Sequence, residues 1–366
     1  MLQNTSTKQR AKARAIVSTS DSPGSEPVAA GGTAPLTLDP RRDHWLIVLP
    51  DDTVRPIIEA IDTASSSLNV CMFVLDDSLF LQALIRAKRR GVNVRVMLNR
   101  HRRNGELENE RAWRLLGDAG VEVRASSQKF ELTHEKSLVV DDEIGFIQSM
   151  NWDGRRAQTA RDYAIVTRNP QETKEMTACF DADWNEQSFT PMRGSKLIWC
   201  PDNGRPRIAA FIDRAVHSLW VQNERYQDTV IIERLVRASL RGVKVHILTS
   251  PPHRLKSDHL NEGIGGLRIL QDVGIKVHVA KHVKLHAKMM IADGRSAIIG
   301  SINLTPGSFN GRRELAIETS DELVVERIHA VAQQDWMLSR KLDLTDSGLQ
   351  RELVKHARTS TDGSIG

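Results

Sequence analysis

No stretch of this 366-residue chain approaches the run of about 18–20 apolar residues that crosses a bilayer, and its basic start lacks the apolar segment of a secretory signal. A cytoplasmic location, peripheral at a membrane at most, is therefore the expectation. Cysteine is scarce: Cys71, Cys179 and Cys200 are far apart and odd in number, which fits neither a disulfide framework nor a zinc-ligand spacing. They read as ordinary thiols. A disordered composition is also absent, since 40% hydrophobic and 27% charged residues belong to a globular chain with a core. The net charge of +5 points to a phosphate-bearing partner, either nucleic acid or an anionic membrane surface. Part of that excess sits in residues 1–43, which are rich in Ser, Thr, Gly, Pro and Ala, show no periodicity and are expected to be disordered.

From Trp45 onward the chain repeats itself. With Pro50 placed on Pro201 the two copies run without a gap at an offset of 151: "LQALIRAKRRGVNVRVML" falls on "IERLVRASLRGVKVHILT". After a variable loop and another helix the offset settles at 152. His134 then meets His286, Lys136 meets Lys288, Asp141 meets Asp293, Ser149 meets Ser301, Asn151 meets Asn303 and Asp162 meets Glu314. The apolar periods and the glycines at helix ends predict strands alternating with helices. The expected fold is α/β: two homologous α/β/α halves, each a mixed sheet flanked by helices, packed with pseudo-twofold symmetry around one active site. The expected boundaries are 44–194 and 195–345, with a tail at 346–366.

The repeated segments "HEKSLVVDDEIGFIQSMN" and "HAKMMIADGRSAIIGSIN" each read as strand, turn and strand. Side chains alternate along a strand, so His134 and Lys136 share a face, as do His286 and Lys288, and the following strand brings Ser with Asn. Each half then offers an imidazole, an ammonium, a hydroxyl and a carboxamide. That set suits phosphoryl chemistry without a metal or other cofactor. Lys136 and Lys288 supply positive charge to the non-bridging oxygens, while Ser149, Asn151, Ser301 and Asn303 add hydrogen bonds to phosphate. One imidazole attacks phosphorus and the other protonates the leaving oxygen. Asp162 and Glu314 are the candidates to orient the imidazoles.

These residues resemble the phospholipase D superfamily, whose motif is His-x-Lys, four residues, Asp, six residues, Gly-Ser-x-Asn. The second copy matches throughout, from His286 through Gly300 to Asn303, whereas the first carries Gln148 where glycine is expected. The resemblance implies that one histidine is the nucleophile, His134 by analogy with two-motif members, and that the other, His286, is the general acid. It implies that Asp141 and Asp293 are structural. It further implies a monomeric phosphodiesterase with an internal twofold site, hydrolysing or exchanging phospholipid head groups at a membrane surface through a phosphohistidine. Phosphatidyl transfer of the cardiolipin synthase type and nucleic-acid cleavage are the alternatives within the superfamily. A non-catalytic binding protein is the alternative outside it, and the complete motifs speak against that.

Overall fold

The computed structural model describes residues 42–99, 108–154, 158–251, 257–351 and 354. Apart from Arg42 and Asp43, the expected disordered segment 1–43 lies outside these residues. The first half runs β1 (His44–Leu49), α1 (Arg55–Thr63), β2 (Ser67–Met72), α2 (Ser78–Arg89), β3 (Asn93–Leu98), α3 (Glu110–Asp118), β4 (Glu122–Ala125), β5 (Leu132–Thr133), β6 (Lys136–Val140), β7 (Ile144–Gln148), β8 (Ala160–Thr167) and α4 (Pro170–Trp184). The second half runs β9 (Leu197–Cys200), α5 (Gly204–Arg214), β10 (Ser218–Gln222), α6 (Thr229–Leu240), β11 (Lys244–Thr249), α7 (Ser257–Asp272), β12 (Lys276–Val279), β13 (Lys284–Leu285), β14 (Met289–Ala292), β15 (Ser296–Gly300), α8 (Pro306–Asn310), β16 (Arg312–Thr319), α9 (Glu322–Met337) and β17 (Arg340–Lys341). Of the expected tail 346–366, residues 346–351 are helical, and Leu349 packs against the second-half core.

Local chemistry explains the shared pattern. Helices α2 and α6 begin at Asp77 and Asp228, whose carboxylates accept from the N–H of Leu79 and Ile231. Both are followed by a glycine in the left-handed region, Gly91 at φ 91° and Gly242 at φ 93°. A side chain there would cost about 1–2 kcal/mol. The β6–β7 and β14–β15 hairpins turn on Asp141-Asp142 and Asp293-Gly294, all at positive φ, within the three-residue loops 141–143 and 293–295. The first aspartate of each turn also staples the hairpin to the chain entering the neighbouring strand. Asp141 accepts from the N–H groups of Ser65, Ser66 and Ser67, and Asp293 from those of Val216, His217 and Ser218, all within 2.9 Å.

The two sheets share one strand order. In the first it is β1-β8-β7-β6-β2-β3-β4, and in the second β9-β16-β15-β14-β10-β11-β12 with β17 beyond β12. β2, β3 and β4 are parallel, and the other neighbours in the first sheet are antiparallel. One face of each sheet packs under its own helices: Ile57, Phe80 and Leu116 cover Val70 and Val96, while Phe211, Leu235 and Leu270 cover Val221 and Ile247. The opposite faces share a third core, where Val139, Ile147 and Ile165 meet Ile291, Ile299 and Ile317. Strands buried on both faces need continuous apolar runs, hence "WLIVL" in β1, all five residues buried.

Three features lock the halves together, and the described residues accordingly fall within one compact unit. β5 leaves its own half to pair in parallel with β16, and β13 likewise pairs with β8. Arg161 on β8 makes a two-pronged ion pair with Asp335 on α9, at 2.9 Å for both contacts. Arg313 on β16 does the same with Asp183 on α4, at 2.8 and 3.1 Å. All four side chains are buried, and each pair crosses between the halves.

Candidate active site

The crossed strands determine where the histidines stand. Because β5 runs beside β16, the N–H groups of His134 and Glu135 donate to the carbonyl of Arg313. The His134 imidazole therefore meets the next residue of β16, with Nδ1 2.9 Å from Glu314 Oε2. By the same construction His286 N–H donates to the Arg161 carbonyl, and His286 Nδ1 lies 2.8 Å from Asp162 Oδ1. Each half thus supplies the carboxylate that orients the other half's histidine. A carboxylate on Nδ1 places the ring proton there and leaves Nε2 free for chemistry. Both imidazoles are nearly buried, 8% exposed for His134 and 7% for His286.

Lys136 and Lys288 are buried beside them, and each Nζ donates to the carbonyl of the histidine two residues before it. Asn151 and Asn303 are also buried, and in both the Oδ1 atom has no hydrogen-bond partner among the described residues. The serines differ from expectation. Ser149 Oγ donates to Asp162 Oδ1 at 2.5 Å and accepts from Tyr163 N–H at 2.9 Å. Ser301 Oγ donates to the Leu315 carbonyl at 3.2 Å and accepts from Leu315 N–H at 3.1 Å. Both hydroxyls are fully buried and committed to the neighbouring strand, so they support the carboxylate-bearing strands where direct phosphate contacts were expected. The reason is register, since Ser149 faces β8 at Tyr163 and Ser301 faces β16 at Leu315.

Gln148 occupies the glycine position of the motif without crowding the site. Its Oε1 accepts from Trp152 Nε1 at 3.1 Å. Gly300 has no such freedom, because a Cβ there would stand 2.3 Å from the Leu315 carbonyl oxygen.

The carboxylates that orient the two histidines stand in unequal surroundings. Burial pushes His134 well below the ordinary histidine value, helped by Lys136, Lys288, Arg312 and His286. Its partner Glu314 is pushed up by burial, against the pull of Lys136. Burial also acts upward on Asp162, but His286, Lys288 and Ser149 outweigh it and hold the carboxyl below its usual range. Burial thus prevails over the neighbouring charges at Glu314, whereas the neighbouring charges prevail over burial at Asp162. Lys136 is lowered to about 7, first by burial and then by Lys288.

Two residues of the site are not legible in the motif. Glu224 Oε2 accepts from Lys288 Nζ at 3.1 Å and lies 3.9 Å from His286 Nε2. Phe73 sets its ring edge-on to the His134 imidazole, 4.9 Å between centroids, and Lys136 Nζ lies 5.1 Å from the same ring. At the offset of 151 these two positions are equivalent, so an aromatic aligned with a carboxylate was the available signal. Arg161, Arg313, Asp183 and Asp335 were likewise visible only as repeated letters.

Two imidazoles with free Nε2 atoms, two ammonium groups and two orienting carboxylates form a site able to transfer a phosphoryl-type group through a histidine. A family model described as "Cardiolipin synthase, PLD-like domain" matches twice, at residues 57–184 and 208–336. Cardiolipin synthase A of Pseudomonas entomophila is 25% identical over 344 residues, covering 82% of this chain and 70% of that protein. Among solved structures, the phosphatidylserine synthase of Haemophilus influenzae superposes with a TM-score of 0.64 at 12% identity, covering 88% of this chain and 94% of that one. Polyphosphate kinase of Porphyromonas gingivalis gives 0.65 at 17% identity, covering 82% of this chain and 48% of that one. At these identities the structural likenesses speak for the fold alone. With the family model matching more than half of its length in two repeats, this chain belongs to the phospholipase D superfamily.

Proposed function

We propose that this protein is a phosphatidyl transferase, moving the phosphatidyl group of a phospholipid to an acceptor alcohol through a phosphohistidine, with hydrolysis as the outcome when water is the acceptor. The observation that carries the reading is the crossed arrangement in which Glu314 orients His134 and Asp162 orients His286. His134, kept neutral by its surroundings, attacks phosphorus through Nε2. The bond from phosphorus to the head-group oxygen breaks as His286 delivers a proton to that oxygen. The acceptor hydroxyl then gives its proton to His286 and attacks phosphorus, and the phosphorus–nitrogen bond breaks. Lys136 and Lys288 balance the charge on the non-bridging oxygens, and the reaction proceeds without a metal. The lipid substrate and the preference for an alcohol are supported by the cardiolipin synthases that match most of the chain. No described helix is long and apolar enough to cross a membrane, and the proposal places a monomer peripherally at the lipid surface.

The test is turnover of phosphatidylglycerol vesicles in a strong chelator, with cardiolipin and phosphatidate measured separately and single- and double-stranded DNA as parallel substrates. Cardiolipin formation that His134→Ala abolishes, and that Glu314→Gln and Asp162→Asn each lower by about 10²-fold or more, is the expected result. Cleavage of DNA with inert lipid would make the protein a nuclease. Phosphatidate as the sole lipid product would make it a hydrolase.

A further inference from the structure

Glu224 breaks the twofold symmetry of the site at the place where two chemically equivalent histidines must take different parts. It follows β10, with its side chain 26% exposed, and its twofold counterpart after β2 is Phe73. His286 consequently has a carboxylate on each side of its ring: Asp162 hydrogen-bonded at Nδ1, and Glu224 at 3.9 Å from Nε2. Among the described residues His134 has one carboxylate contact, at Nδ1, while the edge-on ring of Phe73 packs against its imidazole.

We propose that Glu224 is a positioning residue that makes His286 the proton donor to the leaving oxygen, and that Phe73 at the matching position leaves His134 as the nucleophile. The inference rests on the transferase reading above. Two carboxylates flanking one imidazole favour its protonated form, whereas an aromatic edge gives no comparable stabilisation. At 3.9 Å Glu224 is too far to hold the Nε2 proton in a hydrogen bond, so that proton stays available to the substrate. Lys288, hydrogen-bonded to Glu224, offsets the carboxylate's repulsion of the anionic phosphodiester. Among the described residues, the groups facing the His286–Glu224 pair include Lys288, Asp162, Arg225 and His134. Glu224 remains ionised among them: burial pushes its carboxyl up, but Lys288 and His286 outweigh this and bring it below the usual range.

The experiment compares Glu224→Gln with wild type on two phosphatidyl esters, one leaving as glycerol from phosphatidylglycerol and the other as p-nitrophenolate. An alkyl alcohol needs a proton as it departs, and p-nitrophenolate does not. The substitution should lower single-turnover cleavage of the glycerol ester by about 10²-fold or more while leaving the p-nitrophenolate burst within about threefold. A retained burst also shows that the variant is folded. Equal losses on both esters, or no loss on either, would overturn the inference while leaving the transferase reading intact. A wild type inert toward both esters would overturn that reading, and the inference with it.

Discussion

Binding of an anionic substrate should pull a proton from solution onto Lys136. Its ammonium is buried, repelled by Lys288 and lowered to about 7. Near pH 8 the free site therefore holds Lys136 as about 90% neutral amine. A phosphodiester charge placed about 4 Å away, at an effective dielectric of about 20, favours the ammonium by about 4 kcal/mol, enough to move it some three units upward and charge it almost completely. The uptake is then about 0.9 proton per site near pH 8 and about 0.1 near pH 6. Titration calorimetry with a non-hydrolysable phosphodiester analogue, in buffers of different ionisation enthalpy, measures this number directly. Lys136→Arg is the control, since a guanidinium is already charged and should remove that component. Uptake identical in the Arg variant and the wild type, or no uptake near pH 8, would refute this account of the buried lysine.

Other consequences concern stability. Asp335→Ala leaves the buried guanidinium of Arg161 without its two-pronged partner and should cost about 3–5 kcal/mol, read from the denaturant midpoint; a loss below about 1 kcal/mol would show that the pair does not join the halves. Gly300→Ala drives a methyl into the Leu315 carbonyl and Ala316, and should cost about 1–3 kcal/mol, whereas Gln148→Ala loses one hydrogen bond from Trp152 and should cost about 1 kcal/mol. Equal thermal shifts would argue against the close packing at Gly300. Asp141 and Asp293 are both held below the ordinary carboxylate range, as backbone N–H groups outweigh the upward push of burial. A depressed carboxyl stabilises the fold above its unfolded value and loses that contribution as pH falls, so the wild type should weaken progressively below about pH 4. Asp141→Asn should flatten that acid limb, and an unchanged slope in acid unfolding would count against the staple.

The hairpin and its aspartate were legible because they are local. His134, Lys136 and Asp141 lie within eight residues, and a two-residue period with a turn residue that tolerates positive φ carries the geometry. The serines were misplaced for a related reason. Alternation put Ser149 and Ser301 on a common face with the asparagines, but the strand packed alongside decided what their hydroxyls touched. Glu224 was missed because nothing in the motif refers to it. It enters the site from the end of a different strand, and only Phe73 at the matching position hinted that the halves are not copies in function.

The sequence by itself determined that this is a duplicated α/β chain with two complete His-Lys-Asn sets, because those features follow from letters at fixed short spacings and from one repeat offset. The tertiary structure decided the pairing of His134 with Glu314 across 180 residues and of His286 with Asp162 across 124. It also decided the ion pairs that lock the halves and the carboxylate that makes one histidine unlike the other. Those contacts are made by side chains on elements far apart in the chain, and no local preference encodes them. They exist only once β5 and β13 have crossed into the opposite sheets and burial has driven these charges and hydroxyls to find partners.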